Sequence, residues 1–301
     1  MKEVTFYKPG MLAFAACVVS GVLCSGCGLT LKQKSAAQSF GAATAALGTL
    51  TGQEFPQDRA DVIAMNESRL SLGDNTVNAI DGWYTPERVK DRIEAVSALK
   101  NYGDLLGSLI TNSQSTQIQS SANSFVSALG SVKGVTLTST QSDAISAAVQ
   151  AIGGLVVEYE RKKAVIAVIN NSQSSIETIV DLIASDFDTN QDQWALAYNT
   201  TVLAVQGQVN SILNAKTNGI AANDYASRAI VQDSLDHANA NNQRFLTAAE
   251  SISKSCSSLK VAQKNLVQVI KDDKLSVQDI QNYAKSVQEF VALYKAMSNS
   301  K

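Results

Sequence analysis

"VQDSLDHANANNQRFLTAAESISKSCSSLKVAQKNLVQVI", residues 231–270, decides how this chain folds. Val231, Leu235, Ala238, Asn242, Phe245, Ala249, Ile252, Cys256, Leu259, Gln263, Leu266 and Ile270 recur at alternating spacings of four and three without a phase slip. Such a stripe is the buried seam of a helix, and a seam this long belongs to helices packed lengthwise at shallow angles.

A second ladder repeats the pattern: Ile145, Ala148, Ile152, Leu155, Tyr159, Ile166, Ile169, Ile176, Val180, Ile183 and Phe187. Lys162 and Gln173 fill its two polar positions. As one helix, residues 145–187 would extend roughly 63 Å at ~1.5 Å per residue, and only "INNSQSS" at 169–175 threatens continuity. The polar seam residues Lys162, Gln173, Asn242 and Gln263 either set register or are partly exposed, or else form a polar channel or partner site inside the bundle.

Shorter helices fill the remainder. "AAQSFGAATAAL" (36–47) and "DRADVIAMNESRLSL" (58–72) read as two helices separated at Pro56, followed by a loop over "GDNTVNAIDGW" (73–83). Thr85 as N-cap and Pro86 at the first position start a helix reaching Thr111. Ile118, Ala122, Phe125, Leu129 and Val132 mark the next one. "QWALAYNTTVLAVQGQVNSILNA" (193–215) forms another, and a last helix starts at "SVQD", where Ser276 and Asp279 resemble a capping box. The expected fold is all-α: one elongated bundle of long antiparallel helices with coiled-coil-like seams over residues 35–301. With three prolines, 6% aromatics and 45% hydrophobic residues, the composition fits.

The N-terminus carries a different message. Lys2 and Lys8 precede the apolar "MLAFAACVVSGVL" (11–23), the layout of an export signal. "LCSGC", residues 23–27, then resembles the lipobox of bacterial lipoproteins, although Cys24 stands where Leu is most frequent. The resemblance implies diacylglycerol on the Cys27 thiol, cleavage between Gly26 and Cys27, and removal of residues 1–26. Residues 27–34 would then be a lipidated N-terminus and tether. Gly28, not being Asp, implies sorting to the outer membrane, facing the periplasm.

Other readings of this region are weaker. The uncharged run 9–31 is long enough to span a bilayer, but Gly21, Ser25, Gly26, Gly28 and Thr30 lower its hydrophobicity. A redox or zinc role for Cys24 and Cys27 lacks a βαβ context and a second pair of ligands. After cleavage only Cys27 and Cys256 remain, so no internal disulfide could form.

Chemistry is sparse elsewhere. His237 is the sole histidine, Cys256 sits on the seam, and no phosphate-binding or metalloprotease motif occurs. "DFDTNQD" (186–192) places Asp186, Asp188 and Asn190 as a weak calcium-loop candidate, yet Gln191 replaces the turn glycine and Ala197 the bidentate Glu. No catalytic residue, resident metal or cofactor is expected. A net charge of −2 and pI near 5.5 argue against a nucleic-acid partner. The expectation is a non-enzymatic, lipid-anchored scaffold with protein partners in the cell envelope and room for an oligomer. A membrane-active helical protein is the alternative, and an envelope hydrolase the more remote one.

Overall fold

A computed structural model describes residues 28–112, 114–152, 158–189, 193–214 and 224–299. The described residues form eight helices and no strand: α1 Leu31–Ser71, α2 Pro86–Thr111, α3 Ser115–Ser131, α4 Ser139–Gln150, α5 Glu158–Asp186, α6 Gln193–Asn214, α7 Tyr225–Lys271 and α8 Gln278–Asn299. The all-α bundle expected from the seams is what forms.

The 231–270 ladder lies within α7, a continuous helix of 47 residues, about 70 Å long at 1.5 Å per residue. Phe245, Ala249, Ile252, Cys256, Leu259, Gln263, Leu266 and Ile270 are all buried, as their spacing requires. α1 runs antiparallel to α7 along its length. Gln33 Nε2 donates to the carbonyls of Val269 and Ile270, both at 2.9 Å, and further along Asp58 meets Arg244. α8 packs beside both, with the Tyr283 hydroxyl on Thr44 Oγ1 at 3.1 Å.

α2 approaches α1 through glycines. A Cβ on Gly103 would lie 2.4 Å from the Gly41 carbonyl oxygen, and one on Gly48 2.7 Å from Lys100 N. Only hydrogen fits at these crossings, so the backbones come into near contact. α3 packs on α2, and α4 lies against α3 and α5. Below the level of Arg244 the bundle combines α1, α2, α5, α7 and α8. Beyond it α6 packs between the end of α1 and the first half of α7, with Gln208 Nε2 on the Leu72 carbonyl.

Three sequence expectations are corrected. First, Pro56 does not end a helix: α1 passes through it for 41 residues. Proline lacks an amide donor and costs about 3 kcal/mol in a helix interior. Here Leu47, Phe55, Val62 and Met65 on both sides share one buried seam, each burial worth ~1.5–3 kcal/mol, so packing outweighs the penalty.

Second, 145–187 is not one helix but α4 and α5, packed against each other. The adjacent glycines 153 and 154 fall in "GGLVV" (153–157), outside the described residues, and each costs about 1 kcal/mol in a helix. "INNSQSS", by contrast, stays helical, with Ser172 Oγ donating to the Val168 carbonyl. The ladder's phase fails at the start of α5, where Tyr159 is exposed and Arg161 buried.

Third, Cys27 lies outside the described residues, and the rest of the expected tether, 28–34, is packed, with α1 already begun at Leu31. Leu29 is buried, and Thr30 caps α1 through a reciprocal pair with Gln33. The loop over 73–83 and the Thr85–Pro86 start both form as expected. At α8 it is the Gln278 amide, rather than that of Asp279, that meets Ser276 Oγ.

Candidate functional site

Three carboxylates project from one face of α1. Glu54, Asp58 and Asp61 are spaced by four and three residues, which places them on a single helical stripe. That stripe is the buried seam itself: Phe40, Thr44, Leu47 and Thr51 precede them in the same phase, and Met65 follows. All three meet Arg244 of α7. Its Nη1 contacts Glu54, and its Nη2 lies 3.0 Å from Asp58 Oδ1 and 2.9 Å from Asp61 Oδ2.

Aromatic donors from α6 complete the cluster. Trp194 Nε1 donates to Asp58 Oδ2 at 3.0 Å, and the Tyr198 hydroxyl to Asp61 Oδ2 at 3.0 Å. Around them pack Phe55, Tyr84, Phe187 and Phe245, with Trp194 edge-on to Tyr84 and Tyr198 stacked on Phe245 at 4.2 Å. The Tyr84 hydroxyl donates to the Trp194 carbonyl, fixing the first turn of α6. Beside this layer Asp186 receives both Arg92 Nε at 2.7 Å and Nη2 at 2.8 Å, a bidentate pair that joins the end of α5 to α2.

Burial sets the protonation of the cluster. It pushes the Asp58 carboxyl well above the usual carboxylate range; the Trp194 hydrogen bond works against this, and repulsion from Asp61 and Asp186 adds to it. Burial also draws Arg244 down to about 10, which leaves it a cation at neutral pH. Tyr84 and Tyr198 are raised by the same desolvation and remain phenols.

The cluster is a buried ion-pair network. Glu54 and Asp58 are fully buried. A cleft of about 110 Å³, lined by Gln57, Arg244, Tyr294, Met297 and Ser298, reaches the arginine, and none of the three carboxylates lines it. Shared in this way, one guanidinium ties α7 to three positions of α1. Among the described residues no group of His, Cys, Asp and Glu is arranged to hold a metal ion.

The expected site residues fare differently. Gly26 and Cys27 lie outside the described residues, as does Asn190. The calcium-loop candidate loses its first ligand, because Asp186 is buried against Arg92; Asp188 follows as part of the turn, its amide on the Ser185 carbonyl. Cys256 is buried, and burial pushes its thiol up to about 12. His237 is a surface side chain, 3.4 Å from Asp233 one turn earlier. It borders an open groove of about 550 Å³ between the end of α1 and the first half of α7. The polar seam residues are spread along the bundle rather than joined: Gln263 is buried, whereas Lys162, Gln173 and Asn242 are half-buried.

No family model matches this chain, and neither does any curated protein or solved structure. Among the described residues no helix is long and apolar enough to cross a membrane.

Proposed function

We propose that this protein is a bacterial lipoprotein, cleaved between Gly26 and Cys27 and acylated on Cys27, that acts as a helical interaction scaffold in the cell envelope. The carrying observation is the "LCSGC" sequence at 23–27, which ends four residues before α1 begins at Leu31. Two or three acyl chains on Cys27 anchor stably, since each buried CH₂ is worth about 0.8 kcal/mol and one chain alone holds only reversibly. Gly28 points to the outer membrane, with the bundle on the periplasmic side. The carboxylates of the central cluster are committed to Arg244, which favours a binding role over hydrolysis.

The anchor is tested by growing cells on labelled palmitate. Cys27→Ala should abolish the label and the membrane fractionation, and a variant still labelled or still cleaved at the same bond refutes the reading. The scaffold role is tested with photo-crosslinkers at Tyr225 and Ile230, exposed large apolar residues of α7's first turns. A discrete protein adduct is expected. No adduct, together with dye release from liposomes, would replace the scaffold with a membrane-active protein.

A further inference from the structure

We propose that the end of the bundle built from residues 28–34, 158–163 and 271–275 lies on the surface of an anionic phospholipid bilayer, with the helices standing off it. This rests on the reading of Cys27 as the lipidated residue and adds to it a membrane-contacting face and an orientation.

Slack is the first consideration. Cys27 is joined directly to Gly28, and consecutive Cα atoms are about 3.8 Å apart. Gly28 is already packed: a Cβ built on it would lie 2.8 Å from Glu158 Cβ. Leu29 is 7% exposed, and Thr30 caps α1. Acyl chains on Cys27 must enter the hydrocarbon, so their attachment point sits at headgroup depth. The end of the bundle beside Gly28 is therefore held there as well.

That end is chemically suited to the place. Lys32 Nζ donates to the Asp273 carbonyl at 2.7 Å, which holds the first turn of α1 against the 272–276 turn. Each of these segments presents a leucine to solvent: Leu31 is 73% exposed and Leu275 41%. Lysines surround them at 32, 34, 162, 163, 271 and 274. The carboxylates at the same end are Glu158, paired with Lys34 at 2.9 Å, Glu160, paired with Lys163 at 3.3 Å, Asp272 and Asp273. Lysines outnumber them, so the face is net cationic and matches anionic headgroups, while the two leucines reach the interface.

Orientation follows from α1. Its 41 residues place the turn after Ser71 about 60 Å from Leu31 at 1.5 Å per residue. Asn75, exposed in that turn, should lie far from lipid.

The full chain carrying an environment-sensitive fluorescent amino acid in place of Leu275 or Asn75, so that no native thiol takes the dye, is recovered from the membrane fraction of palmitate-labelled cells. It is then placed in phosphatidylethanolamine–phosphatidylglycerol vesicles containing a spin-labelled headgroup quencher. Quenching at 275 should exceed that at 75 several-fold, and Lys32→Glu with Lys274→Glu should weaken it. Equal quenching at the two positions in palmitate-labelled protein overturns the contact face and leaves the anchor standing. Strong quenching at 275 in unlabelled protein keeps the face and overturns lipidation. Equal quenching without label overturns both.

Discussion

Replacing Arg244 with leucine removes the one guanidinium shared by Glu54, Asp58 and Asp61. Breaking a buried ion pair by deleting one partner costs about 3–5 kcal/mol, because the remaining charge stays buried and uncompensated. Glu54 and Asp58 are fully buried, so in the variant their carboxyls lose the guanidinium that faced them. At roughly 2–4 °C per kcal/mol, the thermal midpoint should fall by about 6–20 °C. The fall should also depend on pH. In the variant the stranded carboxyls must take up protons to remain buried, so their folded pKa values rise above the unfolded ones. Stability linked to such groups is complete below the unfolded pKa and is lost as pH rises through the folded pKa. Acidification from pH 7 to pH 5 should therefore return up to about 2.7 kcal/mol per carboxyl, at 1.36 kcal/mol per pH unit. Circular dichroism melts of wild type and Arg244→Leu at the two pH values measure both effects. Arg244→Lys should fall between them, since a single ammonium cannot reproduce the guanidinium fork. A loss below about 1 kcal/mol that does not change with pH would refute the claim that these charges depend on one another.

At the α1–α2 crossing, Gly103→Ala forces a methyl group into the Gly41 backbone and should cost about 1–3 kcal/mol in a denaturant melt. Gly207→Ala, on α6 with nothing within 4 Å, should instead stabilise by about 1 kcal/mol; equal effects at both sites would contradict the close approach. Cys256, buried with its thiol pushed up to about 12, should resist a disulfide reagent in the native protein and react fully in guanidinium chloride. Rapid native labelling at that position would show that α7 does not pack as described.

The architecture was legible wherever apolar side chains carry the seam, as from Phe245 to Ile270, because periodicity directly records burial. It was illegible where polar residues occupy seam positions. The α1 stripe runs in perfect phase from Phe40 through Thr44, Leu47, Thr51, Glu54, Asp58 and Asp61 to Met65. Two threonines and three carboxylates in that run look like a solvent face, and Pro56 looks like a boundary. The signal that could have exposed the cluster is the uninterrupted four-three spacing across the proline. Tyr159 and Arg161 show the opposite failure. Arg161 reaches the Leu109 carbonyl and, at 3.1 Å, that of Asn112, so it is buried as a cap for the end of α2 while the more apolar tyrosine faces solvent. Capping the terminal carbonyls of a neighbouring helix leaves no trace in hydrophobic periodicity.

The same contacts explain why a bundle with a mostly apolar seam retains so costly a central layer. Apolar four-three seams are nearly self-similar, so α1 and α7 could slide by one heptad with little loss of apolar contact. Gln33, with both amide hydrogens on the Val269 and Ile270 carbonyls, resists sliding at one end, because a shifted α7 presents carbonyls already engaged within its helix. Arg244 resists it in the middle, since a shift of seven residues would bring its guanidinium level with Thr51 or Met65 and strand the carboxylates. Both devices act on the helix whose first turn adjoins Gly28. In the proposed lipoprotein, fixing α1 against α7 therefore also fixes the distance from the lipid to the far storey, built among the described residues from α1, α6 and α7, where Tyr225 and Ile230 are exposed. A scaffold that must meet a partner at a set height above a membrane needs a rod whose helices cannot slip, and charged residues in the seam provide that where leucine would not.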